Sequence, residues 1–369
     1  MRALLHTLGL CFNEKANNYM NIELMKSLAQ ANGIPSMEDE VRKIVTSELR
    51  DLATDVRVDV MGNVIGRVAG NNGPKVALAA HMDEIGFIVR YVEDAGFLRL
   101  QPVGGFDPRT LVAQRVAVHT CNDGALVGTL MPGVKPIHLM GPNDKKDLDL
   151  NDFFVDLGMS SELVKAKVQV GDMVTMRREF EEIGDMVISK SLDDRIGVYV
   201  MLEAVRAAGQ VDAEIYPIAT VQEEVGLRGA TTAAFGVQPD ITIALDTTIA
   251  GDIPGMPSDA AVTKLGAGTA IKVFDSSQLP NRKLIAHLQQ IAEEQEIPFQ
   301  LEVLPRGGTD AGAFQRAAEG SVTCTISIPS RYVHTTNEMC AKSDIQASVD
   351  LLAQFLREAG SRDYRYDMD

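Results

Sequence analysis

The chain has 369 residues, of which 45% are hydrophobic and 23% are charged, as is ordinary for a globular protein. Its formal net charge of −16 argues against nucleic acid or an anionic membrane as a partner, because the field of the protein would repel both. No apolar run in the sequence reaches the roughly 18 residues that a membrane-spanning helix needs.

The cysteines and the N-terminus indicate a cytoplasmic protein. The four cysteines, Cys11, Cys121, Cys324 and Cys340, form no CxxC pair, and free thiols in a reducing cytosol explain them. The short apolar run at the N-terminus is not followed by the small-residue cleavage site of a signal peptide. We therefore expect residues 1–19 to be a disordered or incidental extension, with the folded chain beginning near Met20.

The first part of the chain predicts helices followed by strands. Apolar residues at helical spacing predict one helix over residues 21–30 and a second after Ser36, which is expected to cap it. Alternating apolar residues over 56–68 predict two strands. The continuous apolar run at 75–80 predicts a buried strand that ends at His81.

The pattern changes twice further along the chain. Residues 87–180 contain short β-like runs separated by Gly, Pro, Asn and Asp, which indicates a small all-β domain inserted into the first. After Ile188, strands and helices alternate to the closing helix over 343–356, so we expect an α/β fold with a mainly parallel mixed sheet between helices. The expected division is residues 1–86 and 181–369 for the two parts of the α/β domain and 87–180 for the insertion.

Acidic and histidine residues follow four of the predicted strands. They are His81 with Asp83, Glu223 with Glu224, Asp246, and His334, and a further pair, Asp193-Asp194, precedes a helix. Because the functional crevice of an open α/β sheet lies beyond the carboxyl ends of its strands, these residues could converge on one edge. Each of them alone could be a helix cap or a solvated strand end, but the joint pattern is harder to explain in that way.

These residue types suit two divalent metal ions. Histidine nitrogen and carboxylate oxygen are ordinary zinc ligands, and two such ions lie roughly 3.5–4 Å apart, a distance that a carboxylate can bridge. Two dications are balanced by three carboxylates and one hydroxide. Adjacent carboxylates repel, so Glu223 and Glu224 suggest one metal ligand and one free general base. Asp83 is placed to accept the second imidazole N–H of His81.

The chain closely resembles the family of tetrahedral and glutamyl aminopeptidases, which are di-metal exopeptidases. The motifs that carry the resemblance are His81-Met-Asp-Glu-Ile-Gly86, Ser191-Leu-Asp-Asp-Arg195, Glu223-Glu-Val-Gly-Leu-Arg-Gly229, Ala244-Leu-Asp246, Gly307-Gly-Thr-Asp-Ala311 and Ile328-Pro-Ser-Arg-Tyr-Val-His-Thr335. They extend over nearly the whole chain from about residue 21.

The resemblance implies a role for each site residue. Asp193 would bridge the metals, His81 and Asp246 would complete one site, and Glu224 and His334 would complete the other. Glu223 would be the general base, with Asp83 behind His81 and Asp310 helping to shape the substrate pocket. A cis peptide bond after Asp193 is also implied. The metals would be two divalent ions per subunit, with zinc expected and cobalt and manganese suited to the same ligands.

The implied activity is the removal of the N-terminal residue from short peptides by a metal-activated hydroxide. The inserted segment matches the dimerisation domain of the family, whose members often assemble from dimers into dodecamers. A related di-metal deacylase or carboxypeptidase is an alternative. In this chain, however, the inserted domain lies between His81 and Asp193, whereas in those relatives it usually comes later in the sequence. A glycan hydrolase lacks support, because aromatic residues make up only 5% of the chain and Trp is absent.

The residues argue against two further functions. A protein whose metals serve only stability would need no spare carboxylate, so Glu223 argues against it. Gly266-Ala-Gly268 matches part of a dinucleotide-binding fingerprint, but the third glycine is absent and no helix clearly follows. The preferred N-terminal residue of the substrate does not follow from the sequence.

Overall fold

The computed structural model describes residues 20–121, 124–135, 137–141 and 147–366. The extension expected over residues 1–19 lies outside the described residues.

Helices and strands alternate mainly in the second half of the chain. The helices are α1 (Ile22–Gln30), α2 (Asp39–Leu52), α3 (Ser161–Lys167), α4 (Leu192–Ala208), α5 (Arg228–Val237), α6 (Arg282–Glu294), α7 (Ala311–Arg316) and α8 (Lys342–Glu358). The first nine strands are β1 (Asp55–Val58), β2 (Val64–Arg67), β3 (Lys75–His81), β4 (Gly86–Val92), β5 (Leu98–Val103), β6 (Gln114–Thr120), β7 (Gly124–Pro132), β8 (Phe153–Asp156) and β9 (Met173–Met176). The others are β10 (Glu181–Ile183), β11 (Met186–Ser189), β12 (Glu214–Thr220), β13 (Ile241–Ile249), β14 (Thr269–Phe274), β15 (Phe299–Val303), β16 (Val322–Arg331) and β17 (Glu338–Ala341).

The main sheet has 11 strands in the order β1-β2-β12-β3-β13-β16-β17-β11-β10, with β14 and β15 attached beside β16. Its centre, β12-β3-β13-β16, is parallel. Antiparallel pairs extend this centre on both sides. The expected fold class, an α/β fold with a mixed sheet between helices and an inserted β domain, is confirmed.

Strand β3 shows why the sheet is covered on both faces. Val76, Leu78 and Ala80 point into a large core that includes residues of α1, α2, α4, α6 and α8. The alternate residues Ala77 and Ala79 point into a second core with α5 and α7. A central parallel strand buried on both faces reads as a continuous apolar run, which is the pattern that identified this strand in the sequence.

The inserted segment forms a closed antiparallel barrel, β4-β5-β8-β7-β6-β9, with a core of its own. Phe87 stacks on Phe106 inside it, with ring centroids 4.4 Å apart. Strand β8 and helix α3 are not predicted by the sequence. Because the segment contains α3, it is not purely β. The boundaries at 87 and 180 stay a prediction.

The expected cap at Ser36 is wrong. Helix α2 begins at Asp39, and its N-cap position is taken by Glu38. The Ser36 backbone lies in the left-handed region at φ 71°, and its N–H donates to the Glu38 carboxylate at 2.8 Å. Among the described residues, none of the helices has the length and apolar character needed to cross a membrane.

Two neighbouring glycines allow a matched test of backbone packing. Both have positive φ, 75° at Gly266 and 93° at Gly268, but a Cβ would meet open space at Gly266 and would overlap the backbone of Pro298 at Gly268. We expect Gly266→Ala to lower the unfolding free energy by about 1 kcal/mol through the left-handed backbone. Gly268→Ala should lower it by about 1–3 kcal/mol more through the overlap. Urea unfolding of both variants measures the difference, and equal losses would contradict the packing at Gly268.

Candidate active site

The candidate site lies at the carboxyl ends of the parallel strands. β3 ends at His81, and the neighbouring strand β12 ends shortly before Glu223 and Glu224. Asp246 lies on β13, and His334 follows the end of β16. The sheet therefore brings together residues that are far apart in the sequence, as expected for strands that run in the same direction.

The carboxylate of Asp193 lies between two imidazole rings. Its Oδ1 is 3.3 Å from Nε2 of His81, and its Oδ2 is 3.4 Å from Nε2 of His334. The same His334 nitrogen is 3.3 Å from Oε1 of Glu224. His81, Asp193 and Glu224 each offer a ligand atom within 4.8 Å of the others. The structure thus gathers four of the five predicted metal ligands around Asp193.

The fifth predicted ligand, Asp246, also lies close to Asp193. Its carboxylate is within 4.8 Å of those of Asp193 and Asp194. The Asp194 carboxylate accepts N–H groups from His81 and Gly197, both at 3.1 Å, so it ties the end of β3 to α4. The peptide bond between Asp193 and Asp194 is cis, as the resemblance implies.

Asp83 contacts its neighbours differently from the expectation. Nδ1 of His81 hydrogen-bonds to the backbone carbonyl of Asp83 at 3.0 Å, whereas the Asp83 carboxylate is 3.6 Å away. That carboxylate instead accepts the N–H groups of Glu223 at 3.0 Å and Glu224 at 3.1 Å. Asp83 therefore fixes the backbone of the two glutamates, and its carbonyl leaves Nε2 of His81 to face Asp193.

Burial raises the pKa of three carboxyl groups in the site. The pKa of Glu223 and Asp246 lies well above its ordinary value, and that of Glu224 is also raised, because burial disfavours the charged forms. The neighbouring acids add to the effect: the charge of Asp193 raises the pKa of both Asp246 and Glu224. A cation among these groups would favour their ionised forms.

Asp193 behaves in the opposite way. Burial alone would raise its pKa, but the facing imidazoles of His334 and His81 lower the pKa of Asp193 below its ordinary range. Burial opposes the charged form of His334, yet Asp193 and Glu224 together raise its pKa to about 12. Oδ1 of Asp193 is buried and accepts no hydrogen bond from the described residues. An orphaned carboxylate oxygen facing imidazole nitrogen suits a divalent cation, so the residues present fit the metals that the resemblance implies.

Asp310 is buried near Glu223 and Asp246 but is not one of the predicted metal ligands. Its Oδ2 accepts the hydroxyl of Thr220 at 2.5 Å, while Oδ1 is buried without a hydrogen-bond partner among the described residues. Burial raises the pKa of Asp310 to about 6.

Glu338 is a further residue of the site, and the motifs of the sequence do not predict it. This residue begins β17 and is 2% exposed. Its carboxylate accepts the N–H of Asp193 at 2.9 Å and that of His334 at 2.8 Å. Burial, with the nearby Asp193 charge, raises the pKa of Glu338 to about 8. An acidic residue shortly after a predicted ligand was the available signal, but the sequence does not show what it contacts.

A cleft opens beside Asp193, Glu224 and His334. The barrel side supplies an apolar wall that consists of Ile85, Phe106, Leu111 and Met176. At the floor, Nζ of Lys190 donates to both carboxylate oxygens of Glu84, at 2.8 and 2.7 Å. The charges of Glu84 and Lys190 are therefore paired with each other.

The model of the M42 glutamyl aminopeptidase family matches residues 62–351. The chain belongs to this family. It is 37% identical over 353 residues to the lysyl aminopeptidase of Pyrococcus furiosus, with 93% of this chain and 98% of that protein covered. The family resemblance proposed from the motifs is confirmed.

Solved structures of the family have the same fold. An aminopeptidase of the archaeon Desulfurococcus kamchatkensis superposes with a TM-score of 0.87 at 40% identity, covering 91% of this chain and 94% of that one. The TET1 peptidase of Pyrococcus horikoshii gives a TM-score of 0.80 at 33% identity, covering 91% and 99%. The prediction of an aminopeptidase, a hydrolase that acts on peptide bonds, is confirmed.

A buried glutamate near the site predicts a pH-dependent stability. Glu38 is 0% exposed, and burial, with the charge of Asp83, raises its pKa to about 7 from an ordinary value of 4.5. The folded state thus favours the protonated form. This contribution to stability is fully present below pH 4.5 and is lost as the pH rises through 7.

We expect Glu38→Gln, which mimics the protonated form, to remove this part of the pH dependence. Between pH 5 and pH 8, the unfolding free energy of the native chain should fall relative to that of the variant by at most about 3 kcal/mol. Urea unfolding at several pH values, with metal removed from both proteins, measures the difference. Parallel pH profiles would contradict the shifted pKa of Glu38.

Proposed function

We propose that this aminopeptidase removes the first residue from short peptides with two divalent metal ions and Glu223 as the general base. The observation that carries the proposal is the position of Asp193, whose two carboxylate oxygens each face a different imidazole, Oδ1 that of His81 and Oδ2 that of His334. A single carboxylate between two sets of ligands is what a bridged pair of metals requires.

The ligands divide into two sets that share Asp193. His81 and Asp246 would complete the first metal site, and Glu224 and His334 would complete the second. Held by these residues, the cations would supply a Lewis acid for the peptide carbonyl and would lower the pKa of water. Zinc is the proposed metal, and cobalt or manganese suits the same nitrogen and oxygen ligands.

Glu223 is the carboxylate left over for proton transfer. Its Oε2 lies 3.9 Å from Nε2 of His81, too far for a hydrogen bond, and its backbone N–H is held by Asp83. Burial raises the pKa of Glu223, and bound cations would favour its ionised form, which can take a proton and then release it. Glu223 accepts the proton of the attacking water and returns it to the departing amine.

The acidic surroundings favour a substrate with a free α-amino group. The buried Oδ1 of Asp310 is one acceptor without a described partner, so Asp310 is proposed to help bind the N-terminal end of the peptide. The apolar wall of the cleft, with Phe106 and Met176, would contact the peptide beside the second metal site. Fixing the amine limits cleavage to the first residue.

Assembly and location are also proposals. The TET1 peptidase is described as able to assemble into a tetrahedron or a large octahedral shell. This similarity supports a homo-oligomer, built from dimers into a dodecamer, for the present chain. The described cysteines, Cys121, Cys324 and Cys340, are free thiols, which is consistent with the proposed cytoplasmic location.

The alternatives from the sequence differ in what they require of Glu223 and the amine. A protein whose metals serve only stability has no use for the carboxylate of Glu223 beside them. A deacylase or carboxypeptidase would not depend on a free amine. No specific contact in the site favours a glycan substrate.

Adjacent glutamates provide a matched test of the assigned roles. We expect Glu223→Gln to lower kcat by about 10²–10⁴-fold while both metals stay bound, because only the proton acceptor is lost. Glu224→Gln should release metal from the second site, and Asp193→Asn should lose metal and activity together. Elemental analysis and hydrolysis of aminoacyl anilides measure both properties. Near-normal turnover of Glu223→Gln would show that its role is wrong.

The nature of the substrate terminus separates the enzymatic alternatives. We expect a peptide with a free amine to be shortened from its N-terminus, and the same peptide with an acetylated N-terminus to remain intact, because the amine no longer binds the acidic groups. Mass spectrometry of the products measures this, with chelator-treated enzyme as the control. Removal of the acetyl group or of the C-terminal residue would favour the deacylase or the carboxypeptidase.

A further inference from the structure

A single buried carboxylate joins two of the proposed metal ligands through their backbones. Oε2 of Glu338 accepts the N–H of Asp193 at 2.9 Å, and Oε1 accepts the N–H of His334 at 2.8 Å. Asp193 and His334 belong to segments separated by 141 positions in the numbering of the chain. The spacing of these two segments therefore depends directly on one side chain.

The place of β17 in the sheet explains how Glu338 reaches both segments. β17 lies between β16 and β11. The chain leaves β16 toward His334, and it leaves β11 toward Asp193. Glu338 itself pairs with Ser189, the last residue of β11. Its carboxylate is thus located where both ligand segments leave the sheet.

The segments that contain Asp193 and His334 both have backbone conformations outside those of regular helices and strands. His334 has φ 63° and Tyr332 has φ 61°, in the left-handed region that non-glycine residues rarely adopt. Asp193 has ψ 109°, which is outside the helical range although it lies within the bounds of α4. The N–H groups of Asp193 and His334 have the Glu338 carboxylate as their hydrogen-bond partner instead of a strand or helix carbonyl.

We propose that Glu338 is a positioning residue that holds the bridging Asp193 and His334 at the spacing required by the second metal site. The inference rests on the proposed metal sites and adds a residue that does not bind metal itself. The first site keeps His81 and Asp246, which Glu338 does not contact among the described hydrogen bonds. Loss of the carboxylate is therefore expected to weaken the second site more than the first.

A cation held by Asp193 would favour the ionised form of Glu338, and an amide cannot replace that carboxylate, so Glu338→Gln tests the role. The amide oxygen can accept one of the two N–H groups, but the NH₂ group is itself a donor and faces the other N–H. We expect the affinity of one metal equivalent to fall by about 10–100-fold, as for other groups that orient metal ligands. Glu338→Asp keeps two acceptor oxygens on a shorter side chain, so we expect it to recover part of the affinity.

Asp344 provides a matched control in the same domain. It is 0% exposed, and its carboxylate also accepts two backbone N–H groups, from Gly266 at 2.7 Å and Gly268 at 2.9 Å. None of its described hydrogen bonds reaches a proposed metal ligand. Asp344→Asn should lower the unfolding free energy, as Glu338→Gln does, but leave both metal affinities unchanged.

The experiment titrates metal-stripped protein with Zn²⁺ against a competing chelator and repeats the titration with Co²⁺, whose visible spectrum reports ligand geometry. Urea unfolding of the same proteins shows that each variant is folded. A selective loss of one equivalent in Glu338→Gln, partial recovery in Glu338→Asp and native affinities in Asp344→Asn support the inference. Native affinities in Glu338→Gln, or equal losses in Asp344→Asn, overturn it. If the native chain itself does not bind two equivalents, the proposed di-metal function fails, and with it the inference; the other outcomes bear on Glu338 alone.

Discussion

The contact on which the site depends is the sharing of the Asp193 carboxylate between His81 and His334. Carboxylates are crowded around this contact, and two like charges 4 Å apart repel by about 4 kcal/mol at the effective dielectric constant of partly buried groups. Burial adds to the difficulty, as the raised pKa of Glu223 and Asp246 indicates. Such a cluster is compatible with a stable fold only when protons or cations balance it. The chemistry of a metallopeptidase uses the second of these solutions.

The ends of the strands explain how the cluster is held. Where a strand stops, its backbone N–H groups lose their partners in the sheet and need other acceptors. Three buried carboxylates serve as these acceptors, and each takes two N–H groups: Asp83 those of Glu223 and Glu224, Asp194 those of His81 and Gly197, and Glu338 those of Asp193 and His334. Four of the five proposed ligands are thus fixed through their own N–H groups. Asp246 needs no such support, because it lies within β13, paired with β16.

The sequence predicted the parts of this arrangement that depend on local pattern. The apolar run of β3 identified a buried strand, and the acids and histidines at strand ends identified the edge where the site lies. The roles of Glu338 and the Asp83 carboxylate could not be predicted, because their partners are backbone groups of distant residues that only the folded sheet brings near. The cap at Ser36 failed for a related reason, since the buried Glu38 occupies that position and takes the Ser36 N–H. Strand β8 and helix α3 could not be predicted, because each is too short for its apolar residues to show a clear repeat.

The chain passes between the sheet and the barrel at two crossings, and a proposed metal ligand lies beside each of them. The chain enters the barrel just after His81 and returns through β10 and β11 just before Asp193. The ion pair of Glu84 and Lys190 joins these two crossings. The N–H of Gly33 also donates to the Glu84 carboxylate, at 3.1 Å. A buried pair of this kind contributes little net stability, because removing both charges from water offsets their attraction, but it restricts the geometry. The apolar wall of the cleft is therefore fixed to the crossings that carry His81 and Asp193. The apolar wall thus belongs to the barrel side of the cleft, whereas the proposed ligands lie at the ends of the sheet strands and at the start of α4.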